Sequence, residues 1–123
     1  MGRVTNDPDL DFWFEDEEED MGFNYYMDEA AQTAIYKQEY QIVYPALGLA
    51  AEAGEVANKV KKIIRDGELD HNSIVAVLGD CLWYLAALCR DLNVDMADVA
   101  AEKLQKLHGS MERGTIAGSG DTR

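Results

Sequence analysis

The sequence predicts an all-α fold, a small bundle of four helices, and three observations carry that expectation. From Tyr25 onward, apolar residues recur every three to four positions over long stretches, the period of an amphipathic helix. No stretch alternates apolar and polar residues as a half-buried strand would. Helix boundary signals fall at regular intervals: Tyr44-Pro45, Asp66-Gly67, Asp70 and Asp95.

The elements follow in order. Residues 1–22 read as an acidic, weakly ordered N-terminal extension, and 23–123 as one helical domain with a C-terminal tail. The first thirty residues carry a net charge of -10 out of -13 for the 123-residue chain. Such a charge block repels itself when compact. Its exception is "DFWF", whose Phe12, Trp13 and Phe14 are apolar enough to dock on the body or on a partner. The first helix is expected from Tyr25 to about Glu39, a run of good helix formers. The second runs from Pro45 to Arg65, with proline in the first turn and Asp66-Gly67 as turn or C-terminal cap. The third covers Asn72 to Leu92, with Asp70, His71 or Asn72 as N-cap. The fourth starts after Asp95 and reaches about His108. The tail "ERGTIAGSGDTR" is glycine-rich and aperiodic, hence loop or docked extension.

Composition excludes several function classes. Without its acidic extension the chain is only mildly acidic and shows no basic face, so duplex nucleic acid is not an expected partner. Cys81 and Cys89, eight residues apart on one helix, are separated by about 12 Å of axis, too far for a disulfide. They read as reduced core thiols of a cytoplasmic protein. There is no zinc-type Cys/His spacing. No apolar run approaches the length of a membrane span, and the N-terminus lacks the basic-then-apolar pattern of a signal peptide. So short a chain has a limited core, which points to a homo-oligomer.

On a helical wheel, Leu49, Ala53, Val56, Val60 and Ile63 gather as the core stripe of the second helix, and Leu78, Leu82 and Leu85 as that of the third. A neighbouring stripe holds Glu52, Glu55, Lys59, Lys62 and Asp66: acids first, then bases. An ordinary solvated face with pairs such as Glu55–Lys59 accounts for that spacing. The alanines and glycines around the acids suggest more. Small side chains let another helix approach closely and bury the carboxylates, and buried carboxylates need a partner such as a cation. Oxygen ligands alone suit Mg²⁺. Asp80 on the third helix is placed to complete such a site, with Tyr84 on the same side.

With "AIYKQEYQIVYPALGLAAEAGEVANKVKKIIRDG", "LGDCLWYLAAL" and "RGTIAGSGDTR" in view, the chain from about Tyr25 to Arg123 resembles the MazG-like nucleotide pyrophosphohydrolases of the all-α NTP pyrophosphatase superfamily. That family's motif is Glu-x-x-Glu, a spacer, then Glu-x-x-Asp. Glu52-Ala-Gly-Glu55 matches its first half, followed by a spacer of 21 residues. The resemblance implies a four-helix bundle assembled as a dimer or tetramer. It also implies hydrolysis of a nucleoside triphosphate between the α and β phosphates, with Mg²⁺ or Mn²⁺ as cofactor; dGTP or GTP is the substrate suggested by related proteins. By matching positions, Glu52, Glu55 and Asp80 are the catalytic metal ligands. Lys59, Lys62, Arg65, Tyr84, Lys103, Lys106, Arg113 and Ser119 are the candidates for substrate binding, with Trp83 a weaker one.

Three departures stand out. Val77 occupies the position of the first acid of Glu-x-x-Asp, Lys103 that of an asparagine, and Ser110 that of an arginine. Val77 cannot ligate a metal, and Lys103 adds a positive charge, so both weaken cation binding. Two readings therefore follow: an active pyrophosphohydrolase with a reduced metal shell, or a nucleotide-binding or regulatory relative with little turnover.

Overall fold

The computed structural model describes residues 21–114. Four α-helices, α1 (Phe23–Ala31), α2 (Val43–Asp66), α3 (His71–Asp91) and α4 (Met96–Arg113), and a short 3-10 turn at Gln38–Tyr40 make up its regular structure, with no strand among the described residues. The all-α expectation holds. The DFWF segment and the glycine-rich tail lie outside the described residues.

Local chemistry explains most boundaries. Pro45 sits in the first turn of α2, where its missing N–H leaves no helical bond unmade. α2 ends at Gly67, whose φ of 76° suits a residue without Cβ and whose N–H donates to Ile63 O at 2.7 Å. Asp70 caps α3 by accepting from the Ser73 N–H at 3.2 Å. The expected N-cap of α4, Asp95, makes no side-chain cap bond. Asn24 of α1 does that work instead, its Oδ1 accepting from the Ala97 N–H at 3.1 Å.

Two helix ends differ from the sequence expectation. α1 stops at Ala31 rather than near Glu39, where a local and a tertiary side chain take its last carbonyls. Thr33 Oγ1 donates to Ala30 O at 2.8 Å, and Arg90 Nη1 donates to Ala31 O at 3.3 Å. Helix propensity is a weak prior against such contacts. α4 continues past His108 to Arg113. Ser110, 1% exposed, packs there, and Arg113 folds back beside Gly109 to reach it. Position 110, where the resemblance would place an arginine, is thus a buried serine that accepts from the Arg113 guanidinium at 3.3 Å.

α3 is the central helix. It packs most extensively on α2, then on α1, and it meets α4, which also lies against α1. By length and composition alone α3 is apolar enough to cross a membrane, which corrects the expectation that no run approaches that length. The central helix of a bundle meets the same description. The core is built from Met27 and Ala30 of α1, Ala86 and Cys89 of α3 and Met96, with Tyr26, Leu82 and Trp83 packed around it. The core stripes expected for α2 and α3 are only partly covered in one chain. Leu49, Val56, Ile63 and Leu82 are half-buried, whereas Ala53, Val60, Leu78 and Leu85 are exposed. Leu47 and Ile64 stand 67% and 87% exposed. Among the described residues, the buried apolar set lies at the α1 side of α3, away from most of α2.

Candidate functional site

Glu52 and Glu55 lie one turn apart on α2, both half-buried. Their mutual repulsion is relieved locally. Glu55 Oε1 lies 3.8 Å from Lys59 Nζ and accepts from Asn58 Nδ2 at 3.4 Å. The Tyr84 hydroxyl is held above its ordinary pKa, first by burial and then by the nearby Tyr44, Glu52 and Asp80. One acid from α2 and one from α3 therefore act on the same phenol, which puts Glu52, Asp80 and Tyr84 in one neighbourhood.

Gly48 makes that neighbourhood sterically feasible. A Cβ at position 48 would overlap the Tyr84 ring, so only glycine lets α3 present this tyrosine so close to α2. The ring joins an aromatic row. Tyr36 stacks on Tyr44 at 4.8 Å between centroids, Tyr44 lies 6.4 Å from Tyr84, and Trp83 meets Tyr84 edge-on at 5.1 Å. Trp83 is itself anchored, its Nε1 donating to Thr33 Oγ1 at 2.8 Å. The other small residues of "LGLAAEAGE" do not draw a helix onto the acids within one chain. Ala50, Ala51, Ala53 and Ala57 are exposed, and a Cβ built at Gly54 meets nothing within 4 Å.

The basic candidates fall into two groups. Lys59 and Lys62 line a depression of about 350 Å³ with Asp66, Glu68, Leu69 and Asp70. Arg65 is not part of it. Its guanidinium forks onto its neighbour Asp66 at 2.7 and 2.8 Å, which holds the Asp66 carboxyl below its ordinary pKa. Lys103 and Lys106 line a separate, shallower depression of about 260 Å³ on α4 with Val99 and Glu102, and Lys106 pairs with Glu102 at 3.7 Å. Arg113 is exposed and bound to Ser110. Ser119 lies outside the described residues.

Among the described residues, no three His, Cys, Asp or Glu side chains converge as a ready cradle for a metal ion. Val77, the position expected to lack a ligand, is 6% exposed and packed as core. The remaining donors are nonetheless of the right kind. Glu52, Glu55 and Asp80 offer only carboxylate oxygens. Mg²⁺ is commonly held by one or two carboxylates together with substrate phosphates, without a dedicated all-protein cage. The donor set fits an ion that arrives with a polyphosphate.

Sequence reasoning missed the polar knot that fixes the start of α2. The Asp91 side chain is 0% exposed. Its Oδ2 accepts from the Tyr36 hydroxyl at 2.6 Å and from the Ile42 N–H at 2.9 Å, while Oδ1 accepts from Arg90 Nη2 at 3.2 Å. Burial by itself would raise the Asp91 carboxyl pKa, but the bonds from Ile42, Tyr36 and Arg90 outweigh it and hold the carboxyl below its ordinary value. Burial, reinforced by Asp91, pushes Tyr36 up to about 12. Ile42 adopts φ 69° and ψ -54°, the strained γ-turn conformation, costly for a β-branched residue, and the Val43 N–H closes that turn onto Gln41 O at 2.7 Å. The Asp91 bond to the Ile42 N–H holds this strained entry in place. In sequence, Arg90-Asp91 reads only as ordinary end-of-helix charge, and nothing there points to Tyr36, fifty-five residues away.

Comparison with known proteins adds an independent line. A family model described as the MazG nucleotide pyrophosphohydrolase domain matches residues 45–113. The match takes in α2, α3 and α4 with all three candidate acids, and leaves α1 and Tyr36 outside. The Gene 37 protein of Mycobacterium phage L5 is 40% identical over 114 residues, covering 84% of this chain and 100% of the phage protein. No solved structure matches the chain.

Proposed function

Because the chain belongs to the MazG nucleotide pyrophosphohydrolase family, we propose that it hydrolyses a nucleoside triphosphate between the α and β phosphates, releasing the monophosphate and pyrophosphate. The observation that carries this reading is the match of residues 45–113 to the MazG nucleotide pyrophosphohydrolase domain, within which Glu52 and Glu55 lie one turn apart on α2. Glu52, Glu55 and Asp80 would hold Mg²⁺, or Mn²⁺ in its place, and that ion supplies charge neutralisation at the phosphates. Lys59 and Lys62, one and two turns beyond Glu55, offset the remaining phosphate charge. Lys103, Lys106, Arg113 and Ser119 are assigned to the nucleotide as well. The half-buried Tyr84 forms an apolar wall with a polar tip beside the acids. A purine deoxynucleotide such as dGTP is the first substrate to try.

We propose further that the protein works as a homo-oligomer, a dimer or tetramer. Leu47, Ile64, Leu78 and Leu85 are exposed on α2 and α3, and a single chain leaves the small-residue face around Gly54 uncovered. Apolar side chains left exposed on two packed helices favour association. The free thiols Cys81 and Cys89 support a cytoplasmic setting. Light scattering at micromolar concentration tests the assembly, and a monomer overturns it.

A second reading, a nucleotide-binding relative with little turnover, is favoured by Val77, since the core has taken a position that would otherwise carry an acid. Pyrophosphate release across a panel of NTPs and dNTPs with Mg²⁺ or Mn²⁺, with Glu55→Gln as control, separates the two. Metal-dependent release that falls about a hundredfold or more in Glu55→Gln supports the enzyme. Binding of a non-hydrolysable triphosphate analogue without release supports the relative.

A further inference from the structure

A second concave surface lies away from the acids, on the α1 side of α3. It is a groove of about 340 Å³ with an almost wholly apolar lining, walled by Met21, Tyr26, Ala30, Thr33 and Trp83, with Glu29 as its charged member. The hydrolase reading makes no use of it. Its size falls at the low end of the ~300–1,000 Å³ that ligand pockets take. Its far wall is fixed in advance, because Trp83 is hydrogen-bonded to Thr33 and set edge-on against Tyr84.

We propose that this groove is the docking site of the chain's own Phe12-Trp13-Phe14 segment, bound within the same molecule. The assignment goes beyond the catalytic reading and does not depend on it. Three observations converge. The chain enters the described fold at Met21, which is itself part of the groove wall, so the upstream segment starts at the groove's mouth. Phe14 lies seven residues before Met21, and seven residues reach up to about 24 Å when extended, ample for the chain to double back into an adjacent groove. Between them stands an unbroken acidic run, Glu15 to Asp20. Those six side chains stay hydrated and repel one another. The aromatic triad is therefore the part of the extension with apolar surface to remove from water, and a groove walled by Trp, Tyr and Met offers edge-to-face and sulfur–aromatic contacts suited to it.

The tether favours the same molecule over a copy free in solution, and the isotope mixture below separates it from a partner held in the oligomer. A short linker raises the effective concentration of its own segment to about millimolar, roughly a thousandfold above another copy in a micromolar solution. Even a weak site is then filled from within.

The test replaces Trp13 in the full chain with the photo-reactive benzoylphenylalanine, which keeps an aromatic guest, and irradiates an equal mixture of unlabelled and ¹⁵N-labelled protein. Cross-links from position 13 to Trp83 or Tyr26 within chains of one isotope are expected. A companion variant, Phe12→Ser with Trp13→Ser and Phe14→Ser, is expected to melt about 4–8 °C lower than the parent. Cross-links joining the two isotopes at the same groove show docking on a second copy and overturn the assignment within one molecule. Cross-links scattered outside the groove, no cross-links, or an unchanged melt of the triple variant overturn the docking itself.

Discussion

Asp91→Asn should be among the most damaging conservative changes outside the acid stripe. The substitution preserves shape and removes charge. The Asp91 carboxylate accepts from the Tyr36 hydroxyl and the Ile42 N–H on one oxygen and from Arg90 on the other, with its side chain shut off from water. An asparagine has one oxygen. If it serves Tyr36 and Ile42, its NH₂ faces the Arg90 guanidinium, donor against donor; if it serves Arg90, two donors lose their acceptor. Hydrogen bonds to a charged group are worth about 1.5–3 kcal/mol each, and removing one partner from a buried ion pair costs about 3–5 kcal/mol. Allowing for the partial exposure of Arg90, a loss of roughly 3 kcal/mol is expected, or about 12–24 °C in melting temperature for a domain of this size. The strained Ile42 turn loses its anchor at the same time. Chemical denaturation of both proteins across pH gives the measurement. Because the folded pKa of Asp91 lies below its unfolded value, its contribution is complete above that unfolded value, about pH 4, and is lost as pH falls further through the folded pKa. The gap between parent and variant should therefore stay constant near neutrality and narrow below about pH 4. A gap under about 1 kcal/mol at pH 7, or one that ignores acid, would refute the assignment of the knot to Asp91.

Three further outcomes are expected. Gly48→Ala should lower the melting temperature, because the new Cβ overlaps the Tyr84 ring and overpacking costs about 1–3 kcal/mol; in a Tyr84→Ala background the same change should cost nothing, and an equal loss in both backgrounds counts against the close approach. Val77→Glu should destabilise the protein by adding a buried, unpartnered charge, with or without Mn²⁺; a larger Mn²⁺-induced rise in melting temperature than in the parent would instead bring position 77 to the ion site. Tyr36 ionises later in the folded than in the unfolded chain, so its contribution is present below about pH 10 and lost as pH rises toward 12; after allowance for solvent screening it is on the order of 1 kcal/mol, and Tyr36→Phe should abolish that alkaline component in denaturation curves compared at pH 9 and 11.

What was legible in the sequence was local. Pro45, Gly67 and Asp70 fix helix ends through chemistry that acts within a few residues, and the structure uses each of them that way. Glu52 and Glu55 are one turn apart by the geometry of any helix. That the helices carrying Glu52 and Asp80 pack together follows from their being long, consecutive and joined by a short turn. What failed was set by distant partners. The C-terminus of α1 is decided by Arg90 and by Thr33, which Trp83 anchors, and neither tertiary contact leaves a mark in the run "AAQTAIYKQE". The α2 core stripe was read from its periodicity, but periodicity says only that a face is apolar and not whether the cover comes from the same chain. The same limit applies to the alanines around Glu52, which suggested a close helix neighbour that one chain does not supply. The family resemblance groups Arg65 with Lys59 and Lys62, and nothing in the sequence shows that its guanidinium pairs with the adjacent Asp66.

The order of charges along α2 gives a physical reason to prefer the catalytic reading despite Val77. Glu52 and Glu55 come first, and Lys59 and Lys62 follow one and two turns on, so acids and bases are segregated along the helix edge, with Asp66, Glu68 and Asp70 closing the depression beyond the lysines. A face meant only for water would gain nothing from that segregation, since interleaved pairs would offset one another better. A metal–triphosphate complex has matching polarity: a cation on one side and excess phosphate charge on the other. Losing one acid at position 77 shifts the balance toward the anionic part of such a ligand, and Lys103 shifts it further if α4 reaches the same substrate. Fewer protein ligands then leave more of the ion's coordination to the phosphates, a division of labour natural to Mg²⁺. The axial position of this charge sequence matters as much as its composition. It is fixed at one end by Asp91 holding the Ile42 turn and at the other by the Gly67 cap. The knot outside the acid stripe therefore sets the register of α2, with its acids and lysines, against α3.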